Sequence, residues 1–184
     1  MMKSLMFAAG ALLLLPLGTA NAAVFSLGGP NSKLCYDAAD GLDDRPSAIE
    51  GCTRSLTDEP LTDSDRAATY VNRGILNMIT GHKREAEADF SMAQKLDNGL
   101  ADAWLNKGFL MLRENRGREA LALIEEGMKR QPRRQALAVF ARGIAYEQIG
   151  DLAAAYADLK SARDMEPAWS LPGQYLARYQ VRDR

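Results

Sequence analysis

Trp104-Leu-Asn-Lys-Gly-Phe-Leu-Met-Leu-Arg113, a short polar break, and then Ala120-Leu-Ala-Leu-Ile124 form the stretch that decides the fold. In both runs apolar residues recur three and four positions apart, the period of a helix with one buried face. Gly108 and Ala120 are small and let two helix backbones approach closely. Trp104 and Ile124 add bulk beside that contact. The stretch therefore predicts an antiparallel helix pair joined by a tight turn.

The pattern repeats on both sides. Gly74, Gly108 and Gly143 are 34 and 35 residues apart, and Ala86, Ala120 and Ala155 keep the same register. Tyr70, Trp104 and Val139 stand four before each glycine. Phe90, Ile124 and Leu159 stand four after each alanine, followed by Ala93, Gly127 and Ala162. Asn98, Pro132 and Pro167 close each unit, and proline there stops a helix. The one extra residue falls in the turn Arg133 to Gln135, where an insertion costs little. A unit of this length holds two helices of about 14 residues and two short turns. A single pair cannot bury its apolar stripe, so about three must stack.

These motifs resemble the tetratricopeptide repeat family. Tyr70-Val-Asn-Arg-Gly74, Trp104-Leu-Asn-Lys-Gly108 and Val139-Phe-Ala-Arg-Gly143 match its first-helix signature. Ala86-Glu-Ala-Asp-Phe90, Ala120-Leu-Ala-Leu-Ile124 and Ala155-Tyr-Ala-Asp-Leu159 match its second. The third unit adds Tyr146 and the turn Gly150-Asp151. Departures are Asn98 where proline is usual, and Ile124 and Leu159 where an aromatic is usual. The resemblance spans residues 66–169 and implies an all-α, right-handed α-solenoid of stacked antiparallel helix pairs, with a concave face that binds peptides.

On that face the spacing places Val71, Ile75 and Met78, then Leu105, Phe109 and Leu112, then Phe140 and Ile144, each set forming one stripe. Tyr70 and Trp104 fall on another stripe and are expected in the core. Asn72 and Asn106 recur beside the groove stripes. The resemblance implies that asparagine here holds a peptide backbone, with Ala141 ending the ladder. An exposed apolar groove marks a partner site. The competing reading is that the stripe is covered internally, by the C-terminal helix or by tight curvature.

Residues 32–58 are expected to form a degenerate helical hairpin, Ser32 to Asp40 and Pro46 to Leu56, that caps the stack. Cys35 and Cys52 are the only cysteines of the 184-residue chain. A disulfide between them would close a loop of about 18 residues and contribute roughly 3 kcal/mol. A zinc site fails for want of ligands, since the single histidine, His82, lies 30 residues on. Asp58 to Asp63 reads as a linker, with Thr62 and Asp65 resembling a capping box. Over residues 170–184, Ser170 is expected to cap a last helix whose apolar side includes Tyr175, Leu176, Tyr179 and Val181.

Residues 1–22 read as a signal peptide: Lys3, an apolar run from Leu5 to Leu17, and Ala20-Asn21-Ala22 before the cleavage point. The expected location is the periplasm or outside, where a cysteine pair oxidises. Residues 23–31 are expected to be flexible. The mature part has no second apolar run of membrane-spanning length.

Formal net charge is −1, which disfavours nucleic acid as a partner. Phosphate-binding glycine loops and a His-Glu-x-x-His helix are absent from the sequence. His82 sits in a turn with no orienting partner, and Met78, Met92, Met111, Met128 and Met165 are scattered, so neither catalysis nor copper is indicated. Lys129, Arg130, Arg133 and Arg134 form one basic cluster, read as complementing a helix C-terminus or as an anionic contact. No cofactor or metal is expected. The function read from the sequence is a non-catalytic protein-interaction scaffold holding a peptide or protein segment. Self-association into a homodimer is the alternative, and an unrecognised enzyme or enzyme accessory the more remote one.

Overall fold

In the computed structural model the described residues are 4–7, 22–25 and 28–182, with backbone alone at 4–7 and 180–182. Lys3, most of the apolar run that follows it, and Ala20 and Asn21 lie outside them. The helices are α1 (Pro30–Asp40), α2 (Pro46–Asp58), α3 (Asp63–Ile79), α4 (Lys83–Leu96), α5 (Ala101–Arg113), α6 (Gly117–Lys129), α7 (Gln135–Ile149), α8 (Leu152–Met165) and α9 (Ser170–Leu176). They form stacked antiparallel pairs: α3 with α4, α5 with α6, and α7 with α8. α3, α5 and α7 also touch in sequence and make the inner row, while α4 and α6 bridge to the pair that follows.

Local chemistry sets the helix ends. Pro30 and Pro46 open α1 and α2, where a missing N–H costs nothing. The Thr62 hydroxyl accepts from the Asp65 N–H at 3.1 Å and donates to the Asp65 carboxylate, so the pair caps α3. Asp151 caps α8 through the Ala154 N–H. The turn inside each repeat contains one left-handed residue: Gly81 (φ 85°), Asn115 (φ 58°) and Gly150 (φ 88°). Glycine enters that region freely, and asparagine is among the few other residues that tolerate it.

Packing within a repeat depends on the first-helix glycines. A Cβ on Gly74 would lie 2.5 Å from the Phe90 ring, and one on Gly108 would lie 2.7 Å from Ile124. The large residue of the second helix therefore seats directly on the glycine rather than beside it. Gly143 is looser, with 3.2 Å to Asp158 and Leu159. Tyr70 and Trp104, expected in the core, are only half-buried. Each lies under a guanidinium, Arg73 at 5.4 Å and Arg130 at 4.2 Å, which keeps one ring face at the surface. Arg130 also bonds Glu126 and the Asn98 carbonyl, so part of the basic cluster is engaged within the chain.

The two ends of the stack are closed differently. Cys35 and Cys52 form the disulfide, with Cα atoms 4.7 Å apart, and staple α1 to α2 against α3. Glu59, just past α2, accepts from the Asn31 and Ser32 N–H groups at 2.8 and 3.0 Å and from the Ser55 hydroxyl at 2.9 Å. It thereby satisfies the orphan donors of α1. Burial raises its carboxyl pKa, but the hydrogen bonds outweigh that and hold it at about 2. Residues 28–31, within the segment expected to be flexible, are thus fixed to α2's end, and α1 starts at Pro30.

At the C-terminal end the last helix is shorter than expected. α9 follows Trp169, not a Ser170 cap, and stops at Leu176. The chain turns at Ala177–Arg178 and continues as a strand, β2 (Tyr179–Arg182), paired antiparallel with β1 (Ser4–Phe7). Glu147 on α7 explains the break: it receives the Arg178 guanidinium and the Tyr179 hydroxyl, both at 2.8 Å, and pulls the chain off the helix axis.

The glycine contacts predict a ranking. Gly74→Ala and Gly108→Ala should each lose about 1–3 kcal/mol through overpacking. Gly143→Ala should cost clearly less, because its neighbours need shift only slightly. Urea denaturation of the three variants checks this, and equal losses would contradict it.

Candidate functional site

The concave row carries two asparagines at equivalent positions, Asn72 on α3 and Asn106 on α5. Both are fully buried. A primary amide without partners in such a place is costly, and here each finds the same partner type, the backbone of one extended residue. The Asn72 Oδ1 accepts from the Val24 N–H at 2.8 Å, and its Nδ2 donates to the Val24 carbonyl at 2.7 Å. The Asn106 Nδ2 donates to the Ala22 carbonyl at 3.1 Å and to the Asp102 carbonyl at 2.8 Å, while its Oδ1 receives the Ala22 N–H at 3.5 Å.

Strand geometry accounts for the two-residue step. In an extended chain the N–H and C=O of residues i and i+2 share one edge, about 6.6 Å apart. Neighbouring helix axes lie about 8–10 Å apart. Two side-chain amides on adjacent first helices therefore act like a partner strand for alternate residues. The guest strand here is the chain itself, running from α5 toward α3. Ala22 is buried, Ala23 and Val24 are half-buried, and Phe25 leaves the groove to meet Tyr36 of α1 edge-on at 5.4 Å.

Val71, Asn72, Ile75, Met78, Leu105, Asn106, Phe109, Leu112, Phe140 and Ile144 are all 6% exposed or less. Among the described residues no open apolar trough runs along them: the C-terminal cap covers Phe140, as the competing reading allowed, but the cover over the asparagines is the N-terminal segment Ala22–Val24, which that reading did not name. Two of the ten serve packing. Leu105 points at α6, where a Cβ on Gly127 would meet it at 2.8 Å. Phe140 lies under Trp169 and Tyr175, with ring centroids 4.9 and 5.1 Å away, so the C-terminal cap closes that end. The geometric centre of the site is the asparagine pair with Ala22–Val24, not the whole apolar stripe.

One carboxylate shares the site. Asp102 lies one helical turn before Asn106 and is 8% exposed. Burial raises its pKa from 3.8 to about 6, against the lowering influence of Arg133 and Arg134. Sequence reasoning passed over it, as it did the half-buried pairs Arg73–Asp89 (2.7 Å) and Arg142–Asp158 (2.7 Å) that tie first to second helix in repeats one and three. The repeated 16-residue spacing of Arg and Asp was the available signal.

His82 is exposed, its ring 3.0 Å from the Thr80 hydroxyl. Among the described residues no group of three histidines, cysteines or carboxylates could hold a metal ion, and no helix is long and apolar enough to cross a membrane.

The architecture thus defines a tetratricopeptide-like helical-repeat protein, with an asparagine-lined inner face occupied by an extended segment. Among solved structures the chain is similar to MamA. A double mutant of MamA RS-1 superimposes with a TM-score of 0.62 at 21% identity, over 80% of this chain and 82% of that one. MamA 41-end from Desulfovibrio magneticus RS-1 gives 0.60 at 21% identity over the same shares. A further MamA crystal structure gives 0.59 at 25% identity, over 74% and 72%. These likenesses concern the fold. No protein-family model and no curated protein matches the sequence.

Asp102 gives a pH prediction. Its pKa is raised in the folded protein, so folding binds a proton here and stability falls as pH rises from about 4 through about 6. Asp102→Asn removes that penalty. The variant should match wild type near pH 4 and exceed it at pH 8, by up to about 3 kcal/mol. A difference independent of pH in urea titrations would refute this origin.

Proposed function

We propose that this protein is a non-catalytic scaffold, acting in the periplasm or outside the cell, that holds an extended polypeptide segment on its concave face by the segment's backbone. The observation that carries the reading is the paired engagement of Val24 by Asn72 and of Ala22 by Asn106. Recognition through N–H and C=O groups supplies affinity with little dependence on sequence, as when a strand is added to a sheet edge. Specificity then rests on how much room each side chain has. The export assignment is supported by the N-terminal pattern and by the Cys35–Cys52 disulfide.

Phe109 is too deeply buried to report on a partner, because a charge there would disturb the core. Arg113, four residues further along α5 and exposed, is the better probe position. A photoreactive residue at 113, activated in cells, should crosslink to another polypeptide. The crosslink should fall at least ten-fold when Asn72→Ala and Asn106→Ala are combined. Crosslinks unchanged by the two substitutions would refute backbone capture. Products containing only a second copy of this chain would assign the site to self-association.

A further inference from the structure

The contacts made by the N-terminal stretch extend along the molecule. β1 pairs with β2 beside the C-terminal cap, Ala22 sits on α5, and Val24 sits on α3. Much of this lies on the side of the Ala22–Ala23 bond that signal removal would discard. Asn106 would lose its strand partner, and β2 would lose the strand paired with it among the described residues. Val24 and its bonds to Asn72 would remain. The Ala22–Ala23 bond itself lies between the two asparagines, so in the folded chain it is partly shielded.

We propose that residues 22–24 are a built-in occupant that competes with guest strands for Asn106 and Asn72, so that removing the chain up to Ala22 opens the groove at Asn106 and leaves Val24, tethered on one side only, as the remaining competitor at Asn72. This rests on the reading of the groove as a strand holder. The guest it defines is an extended segment running from α5 toward α3. It has a small side chain at the residue paired with Asn106, where Ala22 is 4% exposed, and an aliphatic one two residues later at Asn72.

The tether makes the competition effective. Val24 is only four residues from Gly28, where the chain packs against Ser32 and Leu61. A tether this short gives a local concentration on the order of millimolar. A guest of micromolar affinity would be strongly disfavoured while the segment is seated. The segment is nevertheless displaceable, because it is held by a few hydrogen bonds and the burial of small side chains, each worth little net.

The test uses a fluorescent peptide with the sequence of residues 19–25 and measures anisotropy with the purified full chain. Three forms are compared: wild type, Ala22→Pro/Val24→Pro, and the latter with Asn106→Ala. The prolines remove both N–H groups that pair with the asparagines and lie outside every helix. Circular dichroism should therefore show an unchanged helical signal. The proline form should bind the peptide at least ten-fold more tightly than wild type, and Asn106→Ala should reverse that gain. Equal binding by wild type and the proline form, still lost with Asn106→Ala, would overturn the competition while leaving the strand holder intact. Binding by none of the three would overturn both.

Discussion

At Gly74 and Gly108 a side chain of the following helix occupies the space a Cβ would need, and at Gly143 side chains of the following helix come within 3.2 Å of it. That close approach fixes the angle and separation of the two helices in each repeat. Stacking then propagates the same relation along the chain, because α4 and α6 bridge to the first helix that follows. The inner row α3–α5–α7 is thus a consequence of packing on the other side of those helices. Asn72 and Asn106 end up one repeat apart, and an extended chain can pair with both at a step of two residues.

A buried amide constrains what can fill the space opposite it. An apolar surface would leave the Nδ2 and Oδ1 atoms unpaired, at a cost of about 1–3 kcal/mol for each such group. A backbone offers a donor and an acceptor in the same spacing. The groove is therefore selective for chain conformation before side-chain identity. Asp102 adds a second constraint, a carboxylate held partly neutral by its surroundings at the same end of α5. The distal end is different in character: Phe140, Trp169 and Tyr175 pack as an aromatic plug, and no asparagine stands at position 141 to extend the ladder.

Repeat architecture was fully legible in the sequence because it rests on small and bulky residues at fixed helical offsets, and these report directly on packing. The disulfide was legible from the cysteine count, a single pair, together with the expected export. Asn72 and Asn106 could be marked as backbone-holding through resemblance, yet what they hold could not be read. Pairing of Ala22 and Val24 depends on a chain path that leaves no periodic trace, since the contact joins residues 84 and 48 positions apart. The same limit applies to Glu59, whose capping of α1 depends on a fold-back across the hairpin. It also applies to the end of α9, where Glu147 draws Arg178 and Tyr179 away from a helix that local pattern would have continued. Leu105 and Phe140 show the weakness of assigning a face by spacing alone: both lie on the predicted stripe, and both are taken up by neighbours, Gly127 in one case and the aromatic plug in the other.

Two asparagines hold the N-terminal segment by its backbone. Amide hydrogen exchange read by NMR at Ala22 and Val24 tests it most directly. Their N–H groups should exchange at least ten-fold more slowly in the wild-type full chain than in Asn72→Ala/Asn106→Ala, while amides in α3 and α5 are unchanged. Equal exchange at Ala22 and Val24 in the two proteins would show that the asparagines do not hold the segment.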